Sequence, residues 1–428
     1  MLEHADSNIT KITINSFDIV QLRVSICDDK QYSHFFKRDW SYIFQFLIQV
    51  KNMIISSQFD SGNIECTSQT DANNIQLHIK ADNQSEFYQW FHFKVSNVKD
   101  VDCRYVINNA GGAAFTGGWR HYQAVASYDR EYWFRVETHF ENGELVIEHN
   151  SICDQVYFAY FAPYSMERHA DLIAFAQTSE ACEVETLGTT LDGQTIDCLR
   201  FGEPADHKKT IWMIARQHPG ETMAEWWMEG LINRLVDDTD PVVRSILQKA
   251  VIYLVPNMNP DGSRRGHLRT NAAGVNLNRE WHEPSMQNSP EVFLVLEKMK
   301  STGLDFALDV HGDEALPYNF LVGTEGIPSW NPSRQKKFDL YKNTLANINP
   351  DFQTVHGYPA NASGNANMSY CSNSLAERFN SPVMTLEMPF KDATDTPDEM
   401  QGWSPERCIK LSSSCLDALH LCWDDIIT

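Results

Sequence analysis

Alternation of apolar and polar positions dominates the chain from about residue 53 to 165. Phe91, Phe93 and Val95 alternate with His92, Lys94 and Ser96, the period of two that half-buries a strand. Tyr132, Phe134 and Val136 repeat the pattern against Trp133, Arg135 and Glu137. Asn142-Gly143 then separates that strand from Leu145-Val146-Ile147, a hairpin signal, since both turn residues tolerate the positive φ of a tight turn. The pattern predicts an antiparallel β-sandwich over residues 53–165. Residues 1–52 mix a strand-like Ile12 to Ile26 with a polar, aromatic stretch and match no pattern connected to the rest. A native start at Met53, with an extension upstream, is the expectation for this segment.

After Pro163 short apolar runs alternate with helix-length segments, beginning with a hairpin-like pair around Asp192-Gly193. Thr210–Ala215, Val251–Val255, Phe306–Val310 and Val383–Leu386 read as buried strands of a mixed, mostly parallel sheet. Ala224–Val236, Glu291–Met299 and Arg334–Ile348 read as the helices that cover it. The fold class expected for residues 166–428 is therefore α/β, with no internal repeat.

Charge narrows the function. Lys and Arg number 35 against 57 Asp and Glu, a net charge of −22, which disfavours nucleic acid and anionic membranes as partners. Ten cysteines lie scattered without a CxxC, in a chain large enough to fold without staples, and read as reduced thiols. The N-terminus lacks a secretory pattern, and the apolar stretch Tyr42–Ile55 is interrupted by polar residues and too short to span a bilayer. A cytoplasmic protein is expected.

Each of the four strands ends in a polar cluster: Gln217-His218-Pro219-Gly220-Glu221, Pro256-Asn257-Met258-Asn259-Pro260-Asp261-Gly262, His311-Gly312-Asp313-Glu314 and Glu387-Met388-Pro389-Phe390. Ligands of open α/β sheets bind at the carboxyl ends of strands, so the clusters should converge. His218 and Glu221 on a strand-to-helix turn, with His311, make a two-His, one-carboxylate set that leaves a zinc coordination position open. Without the other clusters, the His218-Glu221 pair would read as a polar turn capping the helix that starts near Thr222. Asn259-Pro260-Asp261-Gly262 reads as a turn without assigned chemistry.

His218-Pro219-Gly220-Glu221, Asn259-Pro260-Asp261-Gly262, Asn278-Arg279 and Thr385-Leu386-Glu387 stand in the chain order of the zinc metallocarboxypeptidases. With Phe91–Asn97 and Tyr157–Tyr164 similar to its N-terminal-domain strands, the chain most resembles the cytosolic carboxypeptidase branch. The resemblance implies a zinc ion, one per chain, on His218, Glu221 and His311. It implies Glu387 as proton carrier, Arg269 as stabiliser of the oxyanion, and Asn278 with Arg279 as the grip on the substrate's terminal carboxylate. The substrate would be a peptide or protein C-terminus, with glutamate-rich tails as one class.

Two positions depart from the family pattern. Asn276 stands where relatives often place an acidic partner for a zinc-binding His, which predicts weaker support of the metal. Tyr370 is a candidate for the family's site tyrosine at a short spacing from Glu387, and is left unassigned. Arg378 reads as a solvated helix charge, Trp226-Trp227 as core, and His282 and His356 as loop histidines. The competing functions are an N-acyl amino acid amidohydrolase and a catalytically inactive module that binds C-termini; the intact ligand set and Glu387 speak against the latter.

Overall fold

The protein is described here by a computed structural model covering residues 52–427. The expectations placed upstream of Asn52 lie outside the described residues. Residues 53 onward form one compact unit.

The first part contains two five-stranded sheets. One runs in the order Ile54–Ser56, His92–Ser96, Gln155–Ala159, Val125–Ser127, Phe134–Arg135; the other in the order Glu65–Ser68, Ile75–His78, Asp102–Ile107, Glu144–Asn150, Thr138–Glu141. Phe93 and Phe158 of the first sheet meet Tyr105 of the second at ring distances of 5.9 and 4.9 Å, so the inner faces share one aromatic core. All pairings are antiparallel except Ile75–His78 with Asp102–Ile107, which is parallel. Asn142 and Gly143, at φ 52° and 85°, close a hairpin, but its first arm is Thr138–Glu141; Phe134–Arg135, expected to be that arm, pairs with Val125–Ser127 in the other sheet.

Two details of the alternation differ from expectation. The His92–Ser96 strand is covered on both sides: His92 is buried among the rings of Phe59, Trp133 and Tyr157. Around residue 134 the regular strand shortens to Phe134–Arg135, and Trp133 is buried while Tyr132 is exposed. Period two marks a half-exposed strand, and it fails where loops cover the outer face.

The second part is a seven-stranded mixed sheet in the order Cys182–Thr189, Thr195–Phe201, Ala250–Val255, Lys209–Ala215, Phe306–Asp313, Val383–Pro389, Phe320–Val322. The four strands read from sequence are its parallel centre, and the flanking strands pair antiparallel. Successive side chains feed opposite cores. Ile211 and Met213 join the helices Met223–Leu235 and Pro405–Leu421; Trp212 and Ile214 join Pro290–Thr302 and Cys371–Phe379. Both faces being covered, the central strands read as unbroken apolar runs. Trp226 and Trp227 are core, as expected.

Some helix starts carry a side-chain cap, whereas Met223–Leu235 has none at Thr222. Asn259 accepts from Gly262 N with Pro260 in the first turn, so the Asn-Pro-Asp-Gly turn opens the short helix Pro260–Arg265. Among the described residues the nine cysteines are free, and no helix is long and apolar enough to cross a membrane.

Candidate active site and metal centre

The strand Lys209–Ala215 ends in Arg216, which adopts φ 59° and is almost completely buried. Its guanidinium donates to Pro219 O at 3.0 Å, Tyr164 O at 2.9 Å and Glu225 Oε2 at 2.6 Å. This holds the sharp turn that turns His218 and Glu221 inward. Glu225 also meets His169 Nδ1 at 2.6 Å, and Asp197 lies 3.5 Å from the other ring nitrogen. Arg216 carried no signal in the sequence beyond its place beside the box.

His218 Nδ1 lies 2.6 Å from Glu221 Oε1, and His311 Nδ1 lies 2.8 Å from Glu221 Oε2. The opposite nitrogens are taken by acceptors: His218 Nε2 meets Asn276 Oδ1 at 3.0 Å and His311 Nε2 meets Asp309 Oδ2 at 2.9 Å. With an acceptor behind each ring, the tautomer that carries its proton on Nε2 leaves an Nδ1 lone pair facing Glu221, the form in which each ring can ligate a metal. Three candidate ligand atoms, two imidazole nitrogens and a carboxylate oxygen, thus lie within 4.8 Å of one another, all buried, and the set could hold a metal ion. Its chemistry, two imidazoles and a carboxylate, fits zinc with a free position.

The partners behind the rings are unequal. A charged Asp309 and Glu221 raise the His311 imidazole well above its ordinary range against the opposing effect of burial. His218, with a neutral amide behind it, is pushed down to about 4 by burial and by Arg269. Asp309 is itself held by Gln217 Nε2, at 2.8 Å to each oxygen, and Trp281 Nε1 donates to Gln217 Oε1 at 2.8 Å.

All seven residues singled out from sequence, His218, Glu221, Arg269, Asn278, Arg279, His311 and Glu387, line one cavity of about 560 Å³. Glu387 pairs in register with His311, and its Oε2 is buried without a hydrogen-bond partner among the described residues. Burial raises its carboxyl well above the usual range, with Glu221, Asp313 and Glu314 adding to the effect and His311 opposing it. Arg279 lies 3.8 Å over the Tyr370 ring and donates to Asn278 O at 2.6 Å. Arg269 faces the rings of Phe115 and Phe87 at 5.1 and 5.7 Å.

Tyr370 lines the cavity; Arg378 is exposed, reaches His282 O at 3.5 Å, and does not line it. Sequence reasoning missed Tyr358, whose hydroxyl bonds to Asp313, and Phe115, which comes from the first part of the chain. Asp313 and Glu314 were inside a recognised cluster but given no role; burial, with Glu221 adding, pushes the Glu314 carboxyl up to about 8.

Residues 55–161 match the family model of the cytosolic carboxypeptidase N-terminal domain, and residues 169–318 that of the zinc carboxypeptidases. An uncharacterised protein of Zymomonas mobilis is 52% identical over 365 residues, 85% of this chain and 95% of that protein. Cytosolic carboxypeptidase 6 of Mus musculus is 27% identical over 62% of this chain, which spans about half (54%) of its length. Among solved structures, a metallo-carboxypeptidase from Pseudomonas aeruginosa in complex with (2-guanidinoethylmercapto)succinic acid is 43% identical. It superposes with a TM-score of 0.84 over 87% of this chain and 99% of that one. On these matches the chain belongs to the zinc carboxypeptidase family, as a metallocarboxypeptidase with the cytosolic-type N-terminal domain in front of its catalytic sheet.

Proposed function

We propose that this chain hydrolyses the last peptide bond of a peptide or protein tail, using one zinc ion held by His218, Glu221 and His311. The observation that carries the reading is the sharing of one cavity by three converging candidate metal ligands, a carboxylate with one oxygen unpartnered among the described residues, and two guanidiniums. Zinc, when bound, supplies the Lewis acidity that makes water nucleophilic near neutral pH. Glu387 accepts a proton from the attacking water and returns it to the leaving amine. Arg269 donates to the carbonyl oxygen as charge gathers there. Asn278 and Arg279 bind the substrate's terminal carboxylate; the planar guanidinium, stacked on Tyr370, offers it two parallel N–H donors. That grip limits cleavage to the final residue.

Removal of glutamate from acidic tails is the finer reading, drawn from the likeness to the cytosolic branch. Among the described residues lining the cavity, an acidic side chain would find Arg269 beside Arg279, with Asp313 and Glu314 also in the lining. A cytoplasmic setting belongs to the same proposal and accords with the free thiols of the described residues.

The test is a peptide library of varied C-termini, incubated with and without chelator, with released residues identified by mass spectrometry. Chelator-sensitive release of single C-terminal residues supports the peptidase, and release of glutamate alone selects acidic tails. Basic or aromatic residues reject that specificity. No release from zinc-loaded protein rejects the peptidase in favour of an amidohydrolase of N-acyl amino acids or a C-terminus-binding module.

A further inference from the structure

Arg269 sits on the segment that follows the short helix Pro260–Arg265, and this segment is gripped from the β-sandwich. The buried Asp82 carboxylate accepts four hydrogen bonds from three consecutive residues. Leu268 N donates at 2.7 Å to Oδ1; Arg269 N at 2.8 Å, Thr270 N at 2.9 Å and Thr270 Oγ1 at 3.1 Å donate to Oδ2. The neighbouring Asn83 donates its backbone N–H to His267 Nε2 at 3.1 Å and its side-chain amide to Ala272 O at 2.7 Å. His267 Nδ1 in turn meets Thr270 O at 2.9 Å, and Asn63 donates to Gly266 O at 2.8 Å.

Shape locks the same segment. Gly266 and Gly274, at φ 71° and 75°, bracket it, and a Cβ on either would lie 2.6 Å from Ser61 O or 2.4 Å from Gln84 O. On the far side Leu268 O accepts from Gly220 N at 2.9 Å, tying the segment to the His218-Glu221 turn. The guanidinium itself rests against Phe87 and Phe115, both from the β-sandwich. A carboxylate that accepts several backbone N–H groups at once fixes their direction, and cation–aromatic contact fixes the side chain.

We propose that the β-sandwich is a working part of the active site, with Asp82 and Phe115 as positioning residues that aim Arg269 at the reacting carbonyl oxygen. The proposal rests on the role given to Arg269 above. An oxyanion donor must already point at the place where charge develops, since reorienting it during the reaction costs free energy. Asp82 supplies that fixed direction through the backbone, and the two rings supply it through the side chain.

The test uses zinc-loaded full-length chain carrying D82N, F115L, R269A and the double change D82N/R269A. Each is measured for kcat and KM on a C-terminal peptide, and for affinity toward a phosphonate analogue of the tetrahedral intermediate and toward a free product amino acid. D82N turns an acceptor into a donor facing backbone N–H groups. It is expected to lower kcat and phosphonate affinity by about 10- to 100-fold, with KM and product affinity nearly unchanged. F115L should show the same pattern more weakly, and F115Y should restore it. The double variant should be no worse than R269A alone.

Effects of D82N that add in full to those of R269A overturn the proposal. So do unaltered kcat and phosphonate binding in both D82N and F115L while R269A is impaired. An R269A chain as active as the parent sinks the assigned role of Arg269, which distinguishes that failure from failure of the clamp. Should D82N not fold, the half-buried F115L with its F115Y rescue decides, since the ring acts without the backbone bonds.

Discussion

At the scale of single residues, the two histidines of the metal centre differ in what stands behind them. Asp309 gives His311 a charged acceptor, while Asn276 gives His218 only an amide oxygen. Asn276→Asp should raise zinc affinity and Asn276→Ala should lower it, the latter by about 10- to 100-fold, as read by competition with a fluorescent chelator. Glu387 is the second residue whose surroundings define its use. Among the described residues one buried oxygen of its carboxylate has no hydrogen-bond partner, so Glu387→Gln should keep the fold and the zinc content. Turnover should fall by about 10³-fold; near-normal kcat with full metal occupancy would remove Glu387 from the mechanism. These residues were legible because each follows a buried apolar strand, where a carboxylate or imidazole costs free energy unless it has work to do. Asp82 was not legible. It lies 187 residues from Arg269, in a polar loop with no local motif, and only folding reveals its four donors.

At the scale of elements, the helix Met166–Ala176 is fastened to Met223–Leu235 through His169 and Glu225. Burial disfavours the charged ring, but Glu225 and Asp197 together outweigh it and raise His169 to about 9. The stabilisation is fully present below the imidazole's unfolded value of about 6.5 and is lost as pH rises through about 9. Denaturant unfolding should therefore show stability falling between pH 7 and 9, and His169→Gln should flatten that slope; a parallel slope in the variant would reject the assignment. The central strands could be read from sequence because both faces are buried and their apolar runs are unbroken. The His92–Ser96 strand misled because its polar His92 is enclosed by aromatic rings contributed from distant loops, information that no window of neighbours contains.

At the scale of the whole molecule, the sandwich and the catalytic sheet share one hydrophobic core. Tyr160 stacks on Phe390 at 4.6 Å, and Arg135 donates to the carbonyls of Phe390, Gln401 and Trp403. Residues 166–428 expressed without the preceding strands should be insoluble or molten, with lost near-ultraviolet circular dichroism; a cooperative, zinc-binding fragment would contradict this. Zinc should raise the melting temperature of the intact chain in a concentration-dependent way, and chelation should reverse it, because the ion binds the folded centre and not the unfolded chain.

The Asp82 grip on the Arg269 segment has a consequence for recombination between relatives. A sandwich exchanged from a relative would have to bring a carboxylate acceptor to the same point in space, because the Arg269 segment meets Asp82 mainly through backbone N–H groups that any sequence carries. Recombinant hybrids joined between the sandwich and the catalytic sheet should therefore work only when the parent that supplies the sandwich carries such an acceptor, which makes this one position a compatibility test for swapping the two parts.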